Sequence, residues 1–331
     1  MEVLNELNKL ADIIKSSEDN YVLISHVGPD GDNIGSLVGL ALGLLQLKKK
    51  VTVINADPTP KKYHFLEKCI SISAAKEYKK QDGNLIVLDC PDLKRTGLSE
   101  DAISSFSRVV NIDHHISNIL FGDINLVDTS AAATGEIVFK LLQKLNIDFT
   151  PDISTPLYTA IMTDTGSFRY ENTTGFSLET GAFLINHGAD LNKINVEVYE
   201  TFSPASIRFM AAALKKLEIA QIGTIAWIIV TNEMYKQFGV NEDDFEGLVN
   251  YAKSIAGIEV AFLVKEGEDS TLKVSLRSKG VIDVNEIAAK FGGGGHKKAA
   301  GFMTGDYSNY ESLVKDILFE TSKMLASGCE K

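Results

Sequence analysis

Apolar positions along this chain fall into two kinds of run. Residues 3–14 carry them at helical spacing, whereas residues 21–25, 51–54, 85–88 and 109–112 form short, continuous, β-rich stretches. Between the first two, residues 34–47 are apolar on nearly every side and interrupted only by polar Ser36 and Gln46. That segment predicts a buried helix, and it falls short of the ~18 residues that suggest a membrane span. Further helices are predicted near 135–145, 154–162 and 177–186. Continuous apolar strands separated by helices predict a parallel sheet covered on both faces.

A second pattern begins near residue 204. A helical run over 204–218, with Phe209, Ala212, Ala213 and Leu217, leads to a β-rich stretch at 224–230. Strands are then expected at 258–264 and 271–276, a helix at 284–290, a glycine run, a strand near 301–303 and a last helix from Tyr310. The fold class is α/β. A parallel-sheet domain with helices on both faces is expected over 1–195, a helical connector over 196–220 and a smaller α/β domain over 221–331.

Composition changes this picture little. A chain of 331 residues is long enough for two domains, each with its own core. Its opening residues, Glu2-Val3-Leu4-Asn5-Glu6, are acidic and amphipathic, so no secretory signal and no membrane anchor are expected. Cys69, Cys90 and Cys329 are few, odd in number and unpatterned, which argues against a disulfide framework or zinc ribbon and for a reducing cytoplasm. A net charge of −11 argues against broad binding of duplex nucleic acid. Small anionic substrates stay open, because bound metal ions can reverse the field locally.

Chemistry-bearing residues gather where strands are predicted to end. The run at 21–25 leads into His26-Val27-Gly28-Pro29-Asp30-Gly31-Asp32, that at 85–88 into Asp89-Cys90, and that at 109–112 into Asp113-His114-His115. Ligands of open parallel sheets collect outside the carboxyl ends of the strands, so these endings can converge. Asp164, closing an apolar helix, could face the same crevice. Blander readings stand beside this one. Asp30 and Asp32 are also turn formers, and Asp89 alone reads as a helix cap. Adjacent histidines at a strand end are harder to explain by packing, since both rings need partners. His64 and His187 have no such company and read as surface or turn residues; Cys90 reads as a small buried side chain. Four carboxylates with two or three imidazoles suit manganese or magnesium better than structural zinc, and charge balance asks for two divalent ions.

These segments, with Asn118 and Thr163-Asp164-Thr165-Gly166, resemble the ordered motifs of the DHH phosphoesterase superfamily. Gly292-Gly293-Gly294-Gly295-His296, followed by Ala299-Ala300-Gly301, resembles the signature of the DHH-associated C-terminal domain. The resemblance implies that His26, Asp30 and Asp89 hold one metal. It implies that Asp32, Asp89, His114 and Asp164 hold a second, with Asp89 bridging. His115 would then contact the phosphoryl group or its leaving oxygen, and Asp113 would orient a histidine. It further implies a substrate site built from Arg277, Ser278, His296, Lys297 and the amides of Gly293, Gly294 and Gly295, with Lys298 as a further candidate.

Within the superfamily, the glycine–histidine motif argues against the pyrophosphatases. RecJ-type exonucleases usually carry an extra OB-fold domain, and the cyclic dinucleotide phosphodiesterases an anchor. The two-domain form resembles the oligoribonucleases called nanoRNases, which also dephosphorylate 3′-phosphoadenosine 5′-phosphate (pAp). That implies short single-stranded RNA or a mononucleotide as substrate, with a homodimer as a family-level expectation. Exopolyphosphatase, RecJ-like exonuclease and non-catalytic nucleotide sensor are the alternatives. Phe291 and Phe302, flanking the glycine motif, are either base-stacking residues or core.

Overall fold

Six parallel strands make the first sheet of this computed structural model, which describes residues 2–16, 20–78, 83–221, 223–241, 247–267, 271–280, 282–307 and 309–328. Cys329 lies outside the described residues. The chain divides into two units, Met1–Thr201 and Phe202–Lys331. Among the described residues, no helix is long and apolar enough to cross a membrane.

In the first unit, α1 (Glu2–Ser16), β1 (Asn20–Ile24), α2 (Gly31–Gln46) and β2 (Lys50–Asn55) are followed by β3 (Ile72–Ala74), β4 (Asn84–Leu88) and the short α3 (Glu100–Ile103). Then come β5 (Arg108–Asp113), β6 (Ile124–Val127), α4 (Thr134–Lys144), α5 (Pro151–Asp164), α6 (Gly175–Asn186) and α7 (Leu191–Asn195), closed by a π-helical turn at Val196–Glu200. The strand order is β3-β2-β1-β4-β5-β6. Strand residues alternate between two cores. Leu23, Ile86, Leu88 and Ile112 pack under the long helices, and Val22, Ile24, Leu85 and Val87 pack on the other side with Cys90 and Phe106. Helices were expected on both faces. The long ones lie on the first, while the second is covered by α3 and short turns around Leu93 and Leu98.

Helix α2 is buried along nearly its whole length because glycines replace its ridge every fourth residue, at Gly31, Gly35, Gly39 and Gly43. A β-carbon on Gly35 would stand 2.3 Å from the Pro156 carbonyl oxygen and 2.9 Å from Ala160 Cβ. The backbones of α2 and α5 therefore approach more closely than any larger residue permits. This offsets the helix propensity that glycine costs.

The second unit holds α8 (Pro204–Lys215), β7 (Glu218–Ile219), β8 (Ile225–Val230), α9 (Asn232–Phe238) and α10 (Leu248–Ser254). It continues with β9 (Val260–Glu266), β10 (Leu272–Ser278), α11 (Val284–Lys290), β11 (Gly294–His296), β12 (Ala299–Thr304) and α12 (Tyr310–Gly328). Its sheet runs β11-β12-β10-β9-β8-β7, with only β8 and β9 parallel. The helix expected as part of a connector, α8, buries Phe209 and Ala213 in a core with Ile228, Val230 and Met234. Phe302 is core, and Phe291 stacks on it with centroids 4.6 Å apart and planes 9° from parallel.

Candidate metal centre

Three neighbouring parallel strands end side by side, and each delivers a ligand-type residue at its carboxyl end. Two residues beyond β1 is His26, immediately beyond β4 is Asp89, and β5 ends in Asp113 with His114 and His115 next. Helix α2 adds Asp30 as its N-cap and Asp32 in its first turn, and α5 ends on Asp164. Three groups have ligand atoms within 4.8 Å of one another: His26, Asp30 and Asp89; Asp32, His114 and Asp164; and Asp89, His114 and His115. Asp89 and His114 each belong to two groups. His26 Nε2 lies 3.4 Å from Asp89 Oδ2, and His114 Nε2 lies 3.6 Å from both Asp89 Oδ1 and Asp164 Oδ2.

Hydrogen bonds aim these side chains. His114 Nδ1 donates to the Ala131 carbonyl at 3.3 Å and His26 Nδ1 to the Val27 carbonyl at 2.8 Å, so Nε2 of each ring turns towards the carboxylates. Asp32 accepts from the amides of Thr134 (2.7 Å) and Gly135 (2.9 Å), at the N-terminus of α4, and from Ser36 Oγ. The positive end of that helix favours the anion. Thr134 Oγ1 donates to Asp89 Oδ1 at 3.0 Å. Asp89 has φ +52, in the left-handed region that asparagine and aspartate tolerate best among residues with a side chain.

Asp113 is wholly buried and does not face the cluster as an open ligand. Its Oδ1 accepts from His115 Nδ1 at 2.7 Å and from the His114 amide at 2.8 Å, and its Oδ2 accepts from Asn118 Nδ2 at 2.5 Å. Burial pushes this carboxyl up, but the bonds from His115 and Asn118 outweigh it and hold it below the usual carboxylate range.

The other carboxyls behave oppositely. Burial raises Asp32, Asp89 and Asp164, the last to about 8, and their mutual repulsion adds to it. Burial works against a charge on His114, but Asp164, Asp89 and Asp32 outweigh it and lift the ring to about 9. Such a cluster resists carrying its full negative charge. Hard oxygen and borderline nitrogen donors, clustered and short of positive charge, fit divalent cations.

Simple capping accounts for part of the sequence pattern. Asp30 does cap α2, with Oδ1 accepting from the Asn33 amide at 3.0 Å. Asp92, rather than Asp89, caps the short turn Leu93–Thr96. Cys90 is buried, its thiol pushed up to about 12 by burial, and Cys69 is exposed. His64 and His187 are exposed and outside the three groups.

Behind the cluster lies a buried amide network, of which the sequence motifs marked only Asn118. Asn33 donates to the His26 carbonyl, Asn55 to Asn33 and Asn111 to the Cys90 carbonyl, and Asn118 joins Asn111 to Asp113. For Asn55 and Asn111 the legible signal was asparagine inside otherwise apolar strands, since a buried amide needs partners.

In the second unit, register places Arg277 opposite Ala299, and Ala299 opposite His296. Directly paired residues share a face, so Arg277 and His296 stand on one row with a small residue between them. Lys297 is exposed, and Lys298 Nζ donates to the Lys279 carbonyl. The Ser278 side chain is buried and its hydroxyl donates to the Ile282 carbonyl at 2.8 Å, so it braces the following turn. The Gly293 amide donates to Ala288 O as α11 ends, and Gly294 and Gly295 pair with β12 in the edge strand β11. A β-carbon on Gly293 would lie 2.2 Å from the Gly301 carbonyl oxygen, so close packing requires glycine there.

Comparison with known proteins shows the family. Residues 20–163 match the DHH family, N-terminal domain, and residues 227–320 match the DHHA1 domain. The bifunctional oligoribonuclease and PAP phosphatase NrnA of Thermus thermophilus is 35% identical over 299 residues, covering 89% of this chain and 87% of its own. Its namesake in Bacillus subtilis is 24% identical, covering 90% and 94%. Among solved structures, an exopolyphosphatase-related protein from Bacteroides fragilis superposes with a TM-score of 0.89 at 29% identity, over 97% of this chain and 96% of that one. RecJ of Thermus thermophilus, solved with Mn2+, shares the fold with a TM-score of 0.56 at 15% identity, over 98% of this chain and 55% of that one. With its aspartates and histidines gathered at the strand ends of the first sheet and a DHHA1 domain following, the chain belongs to the DHH family.

Proposed function

We propose that this protein is a metal-dependent hydrolase of phosphate esters, cutting RNA of two to five nucleotides, linear dinucleotides such as pApA and pGpG included, to mononucleotides and releasing the 3′-phosphate of pAp. The observation that carries this reading is the cluster at the ends of β1, β4 and β5, in a chain related to NrnA along most of its length. His26, Asp30 and Asp89 would hold one divalent ion, manganese or magnesium. Asp32, Asp89, His114 and Asp164 would hold another, with Asp89 shared. Such ions supply Lewis-acid charge for a phosphoryl group and make water a stronger acid at neutral pH.

The chain's own residues do the rest. Asp113 fixes the His115 ring through Nδ1, so a proton held or delivered by His115 passes through Nε2. Thr134 and the N-terminus of α4 hold Asp89 and Asp32 in place, which spares reorganisation during reaction. Arg277, with its forked donors, grips a substrate phosphate, and His296 lines the same row. Ser278 acts on that site through the turn it braces.

The test is turnover of pAp, pApA and inorganic polyphosphate by the purified protein, each with Mn2+ and with chelator. AMP from the first two, lost on chelation, is the expected result. Phosphate from polyphosphate alone would replace the substrate assignment with the exopolyphosphatase one. Asp89→Ala abolishes turnover, and normal rates in that variant would sink the ligand assignment.

A further inference from the structure

A nucleotide has an apolar, flat end as well as a phosphate. In the aromatic pair beside the glycine motif, Phe302 is core and one face of the half-buried Phe291 is already taken by stacking on it. Exposed apolar residues occur instead beside the metal centre. The loop that leaves His115 carries Ile116 at 79% exposure, Ile119 at 63% and Leu120 at 58%. Isolated apolar side chains in water are ordinary, but here three fall within five residues, on the loop that directly follows His115.

The loop is braced rather than loose. The Asn118 amide donates to the His115 carbonyl at 3.1 Å and the Ile119 amide to the Pro91 carbonyl at 3.1 Å. Leu120 is in the left-handed region at φ +55, with its amide donating to Asn118 Oδ1 at 2.7 Å. The same Asn118 donates through Nδ2 to Asp113, which orients His115. One side chain thus ties the apolar loop to the residues that would act on the phosphate.

We propose that Ile116, Ile119 and Leu120 form a platform for the nucleobase attached to the phosphate held at the metal centre. This rests on the nucleotide reading of the site. Contact is through the π-face of the base, which every base presents, so adenine, guanine, cytosine and uracil nucleotides bind with similar affinity.

The test compares binding of AMP and of ribose 5-phosphate, which lacks the base, by calorimetry in Mn2+. It uses the wild-type protein and the Ile116→Ser/Ile119→Ser variant, whose substituted side chains are exposed and leave the fold intact. The wild type binds AMP about tenfold more tightly than ribose 5-phosphate, equivalent to ~1.4 kcal/mol, and the variant loses that preference. A preference that survives in the variant, or is absent from the wild type, overturns the proposal. So does an equal loss for both ligands, which would mark the loop as merely structural. Turnover of pAp by the same preparations is read separately. Failure there removes the hydrolase reading without deciding the base contact.

Discussion

Replacing Asp113 by asparagine tests whether this buried carboxylate acts through His115. The substitution is nearly isosteric, so packing is preserved, but the charge and one acceptor are lost. With its remaining oxygen in the Oδ1 position, the amide still accepts from His115 Nδ1 and the His114 amide. Its new NH2 then faces the NH2 of Asn118 across a gap that now measures 2.5 Å. Asn118 cannot turn over freely, because its oxygen accepts from the Leu120 amide. A hydrogen bond to a charged group is worth about 1.5–3 kcal/mol, and each 1.36 kcal/mol is tenfold in rate, so kcat should fall about 10- to 150-fold. No residue whose carboxylate or ring is assigned to metal has been changed, so KM and metal affinity should move little. The assay is steady-state turnover of pApA over a range of Mn2+ concentrations, with calorimetric titration of Mn2+ into the same variant. Unchanged kcat would refute the orienting role. So would a loss fully restored by saturating Mn2+, which would make Asp113 a determinant of metal binding instead.

Three further outcomes are expected. Arg277→Ala should raise KM for pAp about tenfold or more with kcat little changed, as loss of a charge-assisted phosphate contact costs ~1.5–3 kcal/mol; an unchanged KM removes Arg277 from the substrate site. Gly35→Ala would bring a methyl group against the Pro156 carbonyl and Ala160. That overpacking should cost about 1–3 kcal/mol, visible as a lower thermal midpoint and weaker Mn2+ binding, and a wild-type midpoint would contradict the close packing. In chelator, stability should fall as pH rises towards 9. His114 is raised to about 9 from 6.5 and Asp164 to about 8 from 3.8, so both hold protons that the unfolded chain gives up earlier. The His114 contribution is fully present below 6.5 and lost through 9, and that of Asp164 is lost between 3.8 and 8. Thermal melts across that range should show the decline, and Mn2+ should suppress it; a flat profile in chelator would refute it.

Much of the first unit was legible because strands buried on both faces leave continuous apolar runs, and β1, β2, β4 and β5 all did so. β6 was not, since its four residues alternate in burial like a loop edge, and β3 has only three, none fully buried. Asp, His and their spacing marked out the residues that cluster, because ligand chemistry restricts residue type. Thr134, Asn55 and Asn111 were not disclosed, since orienting groups act through hydrogen bonds that many residue types can make. In the second unit, the glycine run was read for its backbone amides, as part of a substrate site. Gly293 is also needed for room, since a β-carbon there would meet the Gly301 carbonyl, and spacing along a chain does not carry that need.

The glycine seam between α2 and α5 has a bearing on which ion the protein can accept. Asp32 rides in the first turn of α2 and Asp164 is the last residue of α5, so their separation is set where the two backbones touch near Gly35 and Pro156. Helices already in contact cannot draw nearer for a small cation, and parting them for a large one opens a packed core. If Asp32 and Asp164 hold an ion as proposed, this frame limits how far they can adjust to ionic radius, and Ca2+ should bind more weakly than Mn2+. A side-by-side titration of the two ions measures that difference, and equal affinity would show that the frame gives way.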